Sequence, residues 1–257
     1  MRNRKELGQN WLKNRAILEE IADLSAYGYS DKTEVGAKKL PLCVEIGPGL
    51  GYLTTSLLRR FDKVIAVEYD ARLAANLPGS FPGTNLEVVS GDILEYDFGK
   101  MTTPYVVAGN IPYYITSPII ERVLTASPLP ERVVLLMQKE VAERILSERE
   151  TVLSLFVKNR AKVLAGPVVE AAEFTPPPKV DSQVLAMEPF ADGPLVDEAV
   201  FELIRRGFTS PRKKLVHNLA GLKSADELKR MLISIGVSPD ARPGELHLED
   251  WRRLHEG

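Results

Sequence analysis

Short apolar, β-rich runs alternate with helix-like segments along this chain, and that alternation limits its fold more than any other feature. Residues 42–46, 64–67, 86–90, 105–108 and 133–137 read as strands, with helix patterns over 52–60, 72–77 and 119–124 between them. Strands joined through helices run parallel, in a sheet covered on both faces. Further helix patterns follow over 139–146 and 153–158, then strand-like runs over 162–169 and 183–187. Antiparallel late strands are the usual way to finish such a sheet. The late strands flank residues 174–180, whose three consecutive prolines bar them from a central strand.

Ahead of the first strand, residues 8–12 are turn-prone. Asn14 can cap a helix that carries Ile17, Leu18, Ile21 and Leu24 on one face, and residues 26–39 read as loop. At 189–194 the composition shifts to proline and glycine, which marks a linker. Beyond it the pattern is helical over 195–208, 212–219, 225–235 and 248–254. The fold class expected is therefore α/β: a Rossmann-like domain over residues 1–189 and a small helical domain over 190–257.

With 257 residues and a net charge of -2, the chain has room for a sizeable core and no global pull toward nucleic acid or an anionic membrane. Any nucleic-acid role must rest on local clusters. The single cysteine, Cys43, sits in an apolar run and cannot form an internal disulfide, which suits a reducing cytoplasm. His217, His247 and His255 lack cysteine neighbours at ligand spacing, so no metal is expected, and no stretch is long enough to span a bilayer.

The chemistry concentrates at the predicted strand ends. Gly47-Pro48-Gly49-Leu50-Gly51 follows the first strand, where missing side chains let a ligand approach the backbone. Glu68 ends the next strand, about 20 residues on, where an acid can accept both hydroxyls of a ribose. Asp92 follows the third and can accept from an exocyclic amine. A dinucleotide fingerprint wants a glycine where Tyr52 stands, so a nicotinamide dehydrogenase is disfavoured and S-adenosylmethionine, with no phosphate to cradle, is preferred. Asn110-Ile111-Pro112-Tyr113 follows the fourth strand and offers a carboxamide, an outward carbonyl and a flat ring to a planar amine.

Gly8-Gln9-Asn10-Trp11-Leu12, Val44-Glu45-Ile46-Gly47-Pro48-Gly49, Asn110-Ile111-Pro112-Tyr113, Gln138-Lys139-Glu140-Val141 and residues 174–182 together resemble the KsgA/RsmA family of rRNA adenine N6,N6-dimethyltransferases. The resemblance runs from about Leu7 to the last helix. It implies N6,N6-dimethylation of two adjacent adenosines in a hairpin loop near the 3′ end of 16S small-subunit rRNA, with S-adenosylmethionine as donor and the immature small subunit as partner. It also implies cofactor contacts at Asn10, Leu12, Gly47, Glu68, Asp92 and Asn110, to which the glycine turn adds Gly49. In the expected chemistry Asn110 and the Ile111 or Pro112 carbonyl hold the amine, Tyr113 stacks on the base, and Phe174 closes its other side.

Two basic groups are candidate RNA contacts: Arg2, Arg4 and Lys5, with Lys13 and Arg15 near them, and Arg205, Arg206, Arg212, Lys213 and Lys214 in the helical domain. A monomer is expected. The sequence departs from the family pattern in four places. No glycine precedes Leu153-Ser154, Pro211 precedes Arg212, Tyr114 replaces a frequent asparagine, and Trp11 replaces phenylalanine. Two other readings remain open: a ribosome-assembly or RNA-binding factor that does not use the chemistry, and a large-subunit rRNA methyltransferase of the antibiotic-resistance type.

Overall fold

The computed structural model of the protein describes residues 10–27 and 40–257. Gly8, Gln9, Arg2, Arg4, Lys5 and most of the expected 26–39 loop lie outside the described residues. In chain order the strands are β1 (Trp11–Leu12), β2 (Leu40–Ile46), β3 (Phe61–Glu68), β4 (Leu86–Ser90), β5 (Val106–Asn110), β6 (Arg132–Gln138), β7 (Ala161–Val169), β8 (Phe174–Thr175) and β9 (Ser182–Pro189). The helices are α1 (Arg15–Tyr27), α2 (Tyr52–Leu57), α3 (Ala71–Asn76), α4 (Thr116–Leu124), α5 (Lys139–Leu146), α6 (Val152–Arg160), α7 (Glu198–Gly207), α8 (Leu215–Asn218), α9 (Ala225–Ser234) and α10 (Leu248–Glu256).

Seven strands make one sheet in the order β4-β3-β2-β5-β6-β9-β7. The pairs β2/β3, β3/β4, β2/β5 and β5/β6 are parallel, while β9 runs antiparallel to β6. This matches the expected parallel sheet and gives β9 the antiparallel direction that the sequence does not fix. Val133 to Met137 are wholly buried, as a central strand covered on both faces demands. From β2 the chain steps outward to β3 and β4, then returns to β5 on the other side of β2. The carboxyl ends of β2 and β5, where Ile46 pairs with Gly109, therefore form the topological switch point at which such sheets open a ligand crevice.

Helix α1 starts as expected: the Asn14 side chain accepts from the Ala16 and Ile17 N–H groups at 3.0 and 3.4 Å. Its buried face carries Leu18, Ile21, Ala22 and Leu24, joined in one core with Val64, Val106, Val134 and Val184. Burying each large aliphatic side chain contributes roughly 1.5–3 kcal/mol.

Three local expectations are corrected. Residues 11–12 form a strand, not a turn, because β1 pairs antiparallel with β8, Leu12 opposite Phe174. Helix α7 begins at Glu198 rather than 195, since the Asp197 carboxylate accepts from the Val200 N–H and caps it there. Helix α8 is shorter than the expected 212–219. Lys213 donates its N–H to the Ser210 carbonyl, so Pro211, Arg212 and Lys213 lie in a turn.

The chain divides into two compact units, one of Met1–Ala142 and Lys162–Ala191, the other of Glu143–Ala161 and Asp192–Gly257. The second unit thus includes α6 as well as the C-terminal helices, an interleaving that a single boundary near residue 190 does not express. Buried Asn159 explains it: its side chain exchanges two hydrogen bonds with the Val196 backbone, at 3.2 and 2.8 Å, and Phe156 packs edge-on against Phe201. Where the glycine before Leu153-Ser154 is missing stands Val152, the first residue of α6, and Thr151 caps the helix by accepting from the Ser154 N–H at 3.0 Å.

Candidate active site

A cavity of about 300 Å³ opens at the switch point, lined by the ends of β2, β3 and β5, the turn after β4 and the start of α4. Gly47, Gly49, Glu68, Asp92, Asn10, Asn110, Pro112 and Tyr113 all face it. Residues far apart in sequence meet there because all but Asn10, which precedes β1, end a strand or lie in the segment just after one.

The glycine turn needs its glycines for two reasons. Gly47, Gly49 and Gly51 have φ of 62, 57 and 83°, in the left-handed region that residues with a Cβ rarely adopt. A Cβ on Gly47 would meet nothing within 4 Å, so the space a side chain would fill is open to a ligand. Glu68 is 6% exposed and braces this turn: one carboxylate oxygen accepts from the Gly49 N–H at 3.0 Å, the other from the Asp70 N–H at 2.8 Å. Burial pushes its pKa above the usual carboxylate range, against the pull of these two donors. One oxygen of Asp92 accepts from the Leu94 N–H at 2.9 Å, while the other has no partner among the described residues. Arg122 of α4 donates to the Leu94 and Tyr96 carbonyls, so the loop carrying Asp92 is held by the helix that follows the acceptor segment. This set of groups fits S-adenosylmethionine: Glu68 facing ribose hydroxyls, Asp92 facing an adenine amine, and a side-chain-free turn between them.

On the acceptor side, the Asn110 amide nitrogen donates to the Asn10 main-chain carbonyl at 3.0 Å. A carbonyl can only accept, so this contact fixes which end of the amide is nitrogen and leaves Oδ1 as the acceptor. The Pro112 carbonyl already accepts the Ile115 N–H at 3.3 Å, whereas the Ile111 carbonyl accepts none among the described residues. Of the two carbonyls open at the level of sequence, the Ile111 oxygen is thus the one that no described donor occupies, while the Pro112 oxygen has already given up one of its two acceptor sites. Tyr113 is partly buried, with its hydroxyl 2.6 Å from the Ser182 hydroxyl. Burial raises the phenol's pKa, so the ring is a neutral wall rather than a base.

Two of the expected site residues do not line the cavity. Phe174 is 2% exposed, belongs to the core cluster and does not line the cavity; as a strand residue opposite Leu12 it faces inward. Leu12 is likewise 2% exposed in that core. Side chains alternate along a strand, so its neighbour Trp11 lines the cavity instead, its Nε1 3.2 Å from where a Gly49 Cβ would stand. Among the candidate RNA contacts, Arg205 pairs with Glu198 at 2.7 Å and Lys214 with Asp240 at 2.7 Å. Arg206, Arg212 and Lys213 are exposed and make no ion pair among the described residues. The described residues contain no group of three or more His, Cys, Asp or Glu placed to hold a metal, and no helix long and apolar enough to cross a membrane.

Beyond the sequence expectations, one residue lines the cavity and another lies buried behind it. Tyr69, which follows Glu68, lines the cavity while 64% exposed; an aromatic beside the ribose acid was its only signal. Glu45 lies beneath the glycine turn, 1% exposed, and accepts from the Thr54 hydroxyl at 2.6 Å. Burial pushes its pKa up to about 8; the Thr54 bond opposes this and the nearby Glu68 charge adds to it. A carboxyl whose pKa is raised on folding binds a proton in the native state that the unfolded chain has released. Stability contributed by this group therefore falls as pH rises from its unfolded value of 4.5 to about 8. The Glu45→Gln variant should lose that slope and gain on the order of a few kcal/mol over wild type between pH 5 and pH 8.5. Denaturant midpoints at the two pH values test this, and parallel shifts in both proteins would refute it.

Comparison with known proteins agrees with this geometry. The family of ribosomal RNA adenine dimethylases matches residues 1–256. The chain is 34% identical to the ribosomal RNA small subunit methyltransferase A of Thermosynechococcus vestitus, covering 100% of this chain and 97% of the relative. It is 35% identical to that of Geobacter sulfurreducens, covering 100% and 95%. Among solved structures, the 23S rRNA methyltransferase ErmE superposes with a TM-score of 0.75 at 28% identity, over 96% of this chain and 98% of that one. A dimethyladenosine transferase from Plasmodium falciparum gives 0.72 at 28% identity, over 95% of each chain. With a match that spans the chain and full-length relatives of the same kind, the protein belongs to the ribosomal RNA adenine dimethylase family.

Proposed function

We propose that this chain transfers methyl groups from S-adenosylmethionine to N6 of two adjacent adenosines in a hairpin loop near the 3′ end of 16S small-subunit rRNA. It does so as a cytoplasmic monomer acting on the immature small subunit. The observation that carries the reading is Asn110, whose amide is oriented by the Asn10 carbonyl so that its oxygen is the acceptor, in the same cavity as Glu68 and Asp92.

Bound S-adenosylmethionine supplies a methyl group made electrophilic by the positive sulfur that carries it. The chain's own residues do the rest. The adenine amine is a poor nucleophile because its lone pair is delocalised into the ring. Asn110 Oδ1 and the Ile111 carbonyl accept its two hydrogens and favour the pyramidal nitrogen, on which the lone pair is localised. No strong base is required, since methyl transfer leaves the nitrogen a cation whose proton is acidic enough to pass to water, and the neutral Tyr113 phenol agrees with that. Tyr113 offers its ring to a base held out of its stack. Of the exposed cations of the second unit, Arg206, Arg212 and Lys213 are the ones assigned to phosphates of the RNA.

Incubation with S-adenosylmethionine and immature small subunits should place N6-dimethyladenosine at the two adjacent loop adenosines, read by nucleotide-resolution mapping. Label confined to large-subunit RNA would overturn the reading in favour of the activity that ErmE's name describes. Small-subunit relatives at 34–35% identity favour the former. A factor that merely binds RNA has no use for the intact Glu68, Asp92 and Asn110.

A further inference from the structure

We propose that Tyr114 is the surface on which the nucleobase flanking the target adenine stacks, so that it governs how the pair of adjacent adenosines is presented to Asn110. This rests on the function proposed above and extends it to a residue that the acceptor chemistry does not use. Tyr113 and Tyr114 are consecutive residues of one 3-10 turn, Tyr113–Ile115. With three residues per turn, their side chains leave the axis about 120° apart, so the two rings do different things. Tyr113 is tethered through its hydroxyl to Ser182. Tyr114 is 62% exposed although it lines the same cavity, and its hydroxyl has no partner among the described residues.

The backbone beneath that ring is braced. The Ile115 N–H donates to the Pro112 carbonyl, and the Thr116 hydroxyl donates to the Tyr113 carbonyl at 3.1 Å, just before α4 begins. An exposed, unpartnered aromatic on a braced turn loses little conformational freedom when a flat partner covers it. Extruding one loop base leaves a face of its neighbour uncovered, and an aromatic ring compensates for that with any base identity. Of the other exposed aromatics, Tyr69 also lines the cavity, but it follows Glu68 on the cofactor side. Tyr114 is the exposed ring on the acceptor side, four residues after Asn110.

The test compares Tyr114→Ser, Tyr114→Phe and Tyr114→Trp in the full chain on immature small subunits, measuring KM for the subunit, kcat and the Kd of S-adenosylmethionine. The serine variant should raise KM about ten-fold and increase the fraction of RNA modified at only one of the two adenosines, with cofactor Kd unchanged. Phenylalanine and tryptophan should restore KM, because a flat face and not the hydroxyl is required. Unchanged KM in the serine variant, or a change confined to cofactor Kd, overturns the proposal and makes the ring part of the cofactor pocket. Wild-type protein that leaves small-subunit RNA unmodified would sink the functional reading itself, a result distinct from either.

Discussion

Asn110→Ala is expected to lower the rate of adenine methylation by about 10²–10³-fold, the usual cost of deleting one positioned polar group at a reacting centre. RNA binding should stay within about two-fold of wild type, since the side chain contributes one hydrogen bond to an interface dominated by phosphate contacts. Asn110→Asp sharpens the test. Aspartate keeps an acceptor for the amine but has no hydrogen to give the Asn10 carbonyl, so two acceptors would face each other where a 3.0 Å bond now stands. The aspartate variant should therefore be nearly as inactive as alanine. Near wild-type turnover in either variant, measured with labelled S-adenosylmethionine, would show that the amine is held by something else.

The second large effect is expected from Gly109→Ala, one residue earlier. A Cβ there would stand 2.8 Å from the Ile46 carbonyl oxygen, closer than real contacts allow, and a tight 3.0 Å from the Ile46 Cβ. Backbone oxygen cannot swing aside as a long side chain can, so β5 must move away from β2. Overpacking of this kind costs roughly 1–3 kcal/mol. The displacement falls at the switch point, between the glycine turn and Asn110, so cofactor affinity and turnover should both drop by about ten-fold or more. Calorimetric binding of S-adenosylmethionine beside a denaturant titration separates the two losses. A variant that is destabilised yet binds and turns over normally would mean that the strand ends tolerate the shift.

The legible part of the fold was whatever local chemistry writes into consecutive residues. Val133 to Met137 announce a buried parallel strand by being apolar throughout, and Asn14 announces a helix start by its short polar side chain. The glycine turn, Glu68, Asp92 and Asn110 could be placed together because strand ends in such sheets converge. Phe174 and Leu12 were less legible, because which way a side chain points in a two-residue strand depends on its pairing partner, more than 160 positions away. Buried Asn159 leaves no mark in composition, so the grouping of α6 with the C-terminal helices appears only in space. Glu45 reads in sequence as an ordinary charged residue; only burial makes it an acid that titrates near neutrality.

The contact between Asn110 and Asn10 gives the amino-terminal arm an unusual sensitivity. What orients the amide is a main-chain carbonyl, so for this purpose the arm is read by its path and not by its side chain at position 10. That path is pinned on the far side by the pairing of Trp11 with Thr175 and by the Asn14 cap. Each residue of extended chain spans about 3.3 Å, so one residue inserted between Asn10 and Trp11 displaces the acceptor by a full hydrogen-bond length. In this arm chain length is held more tightly than composition, and an insertion there acts as an active-site lesion without touching an active-site side chain.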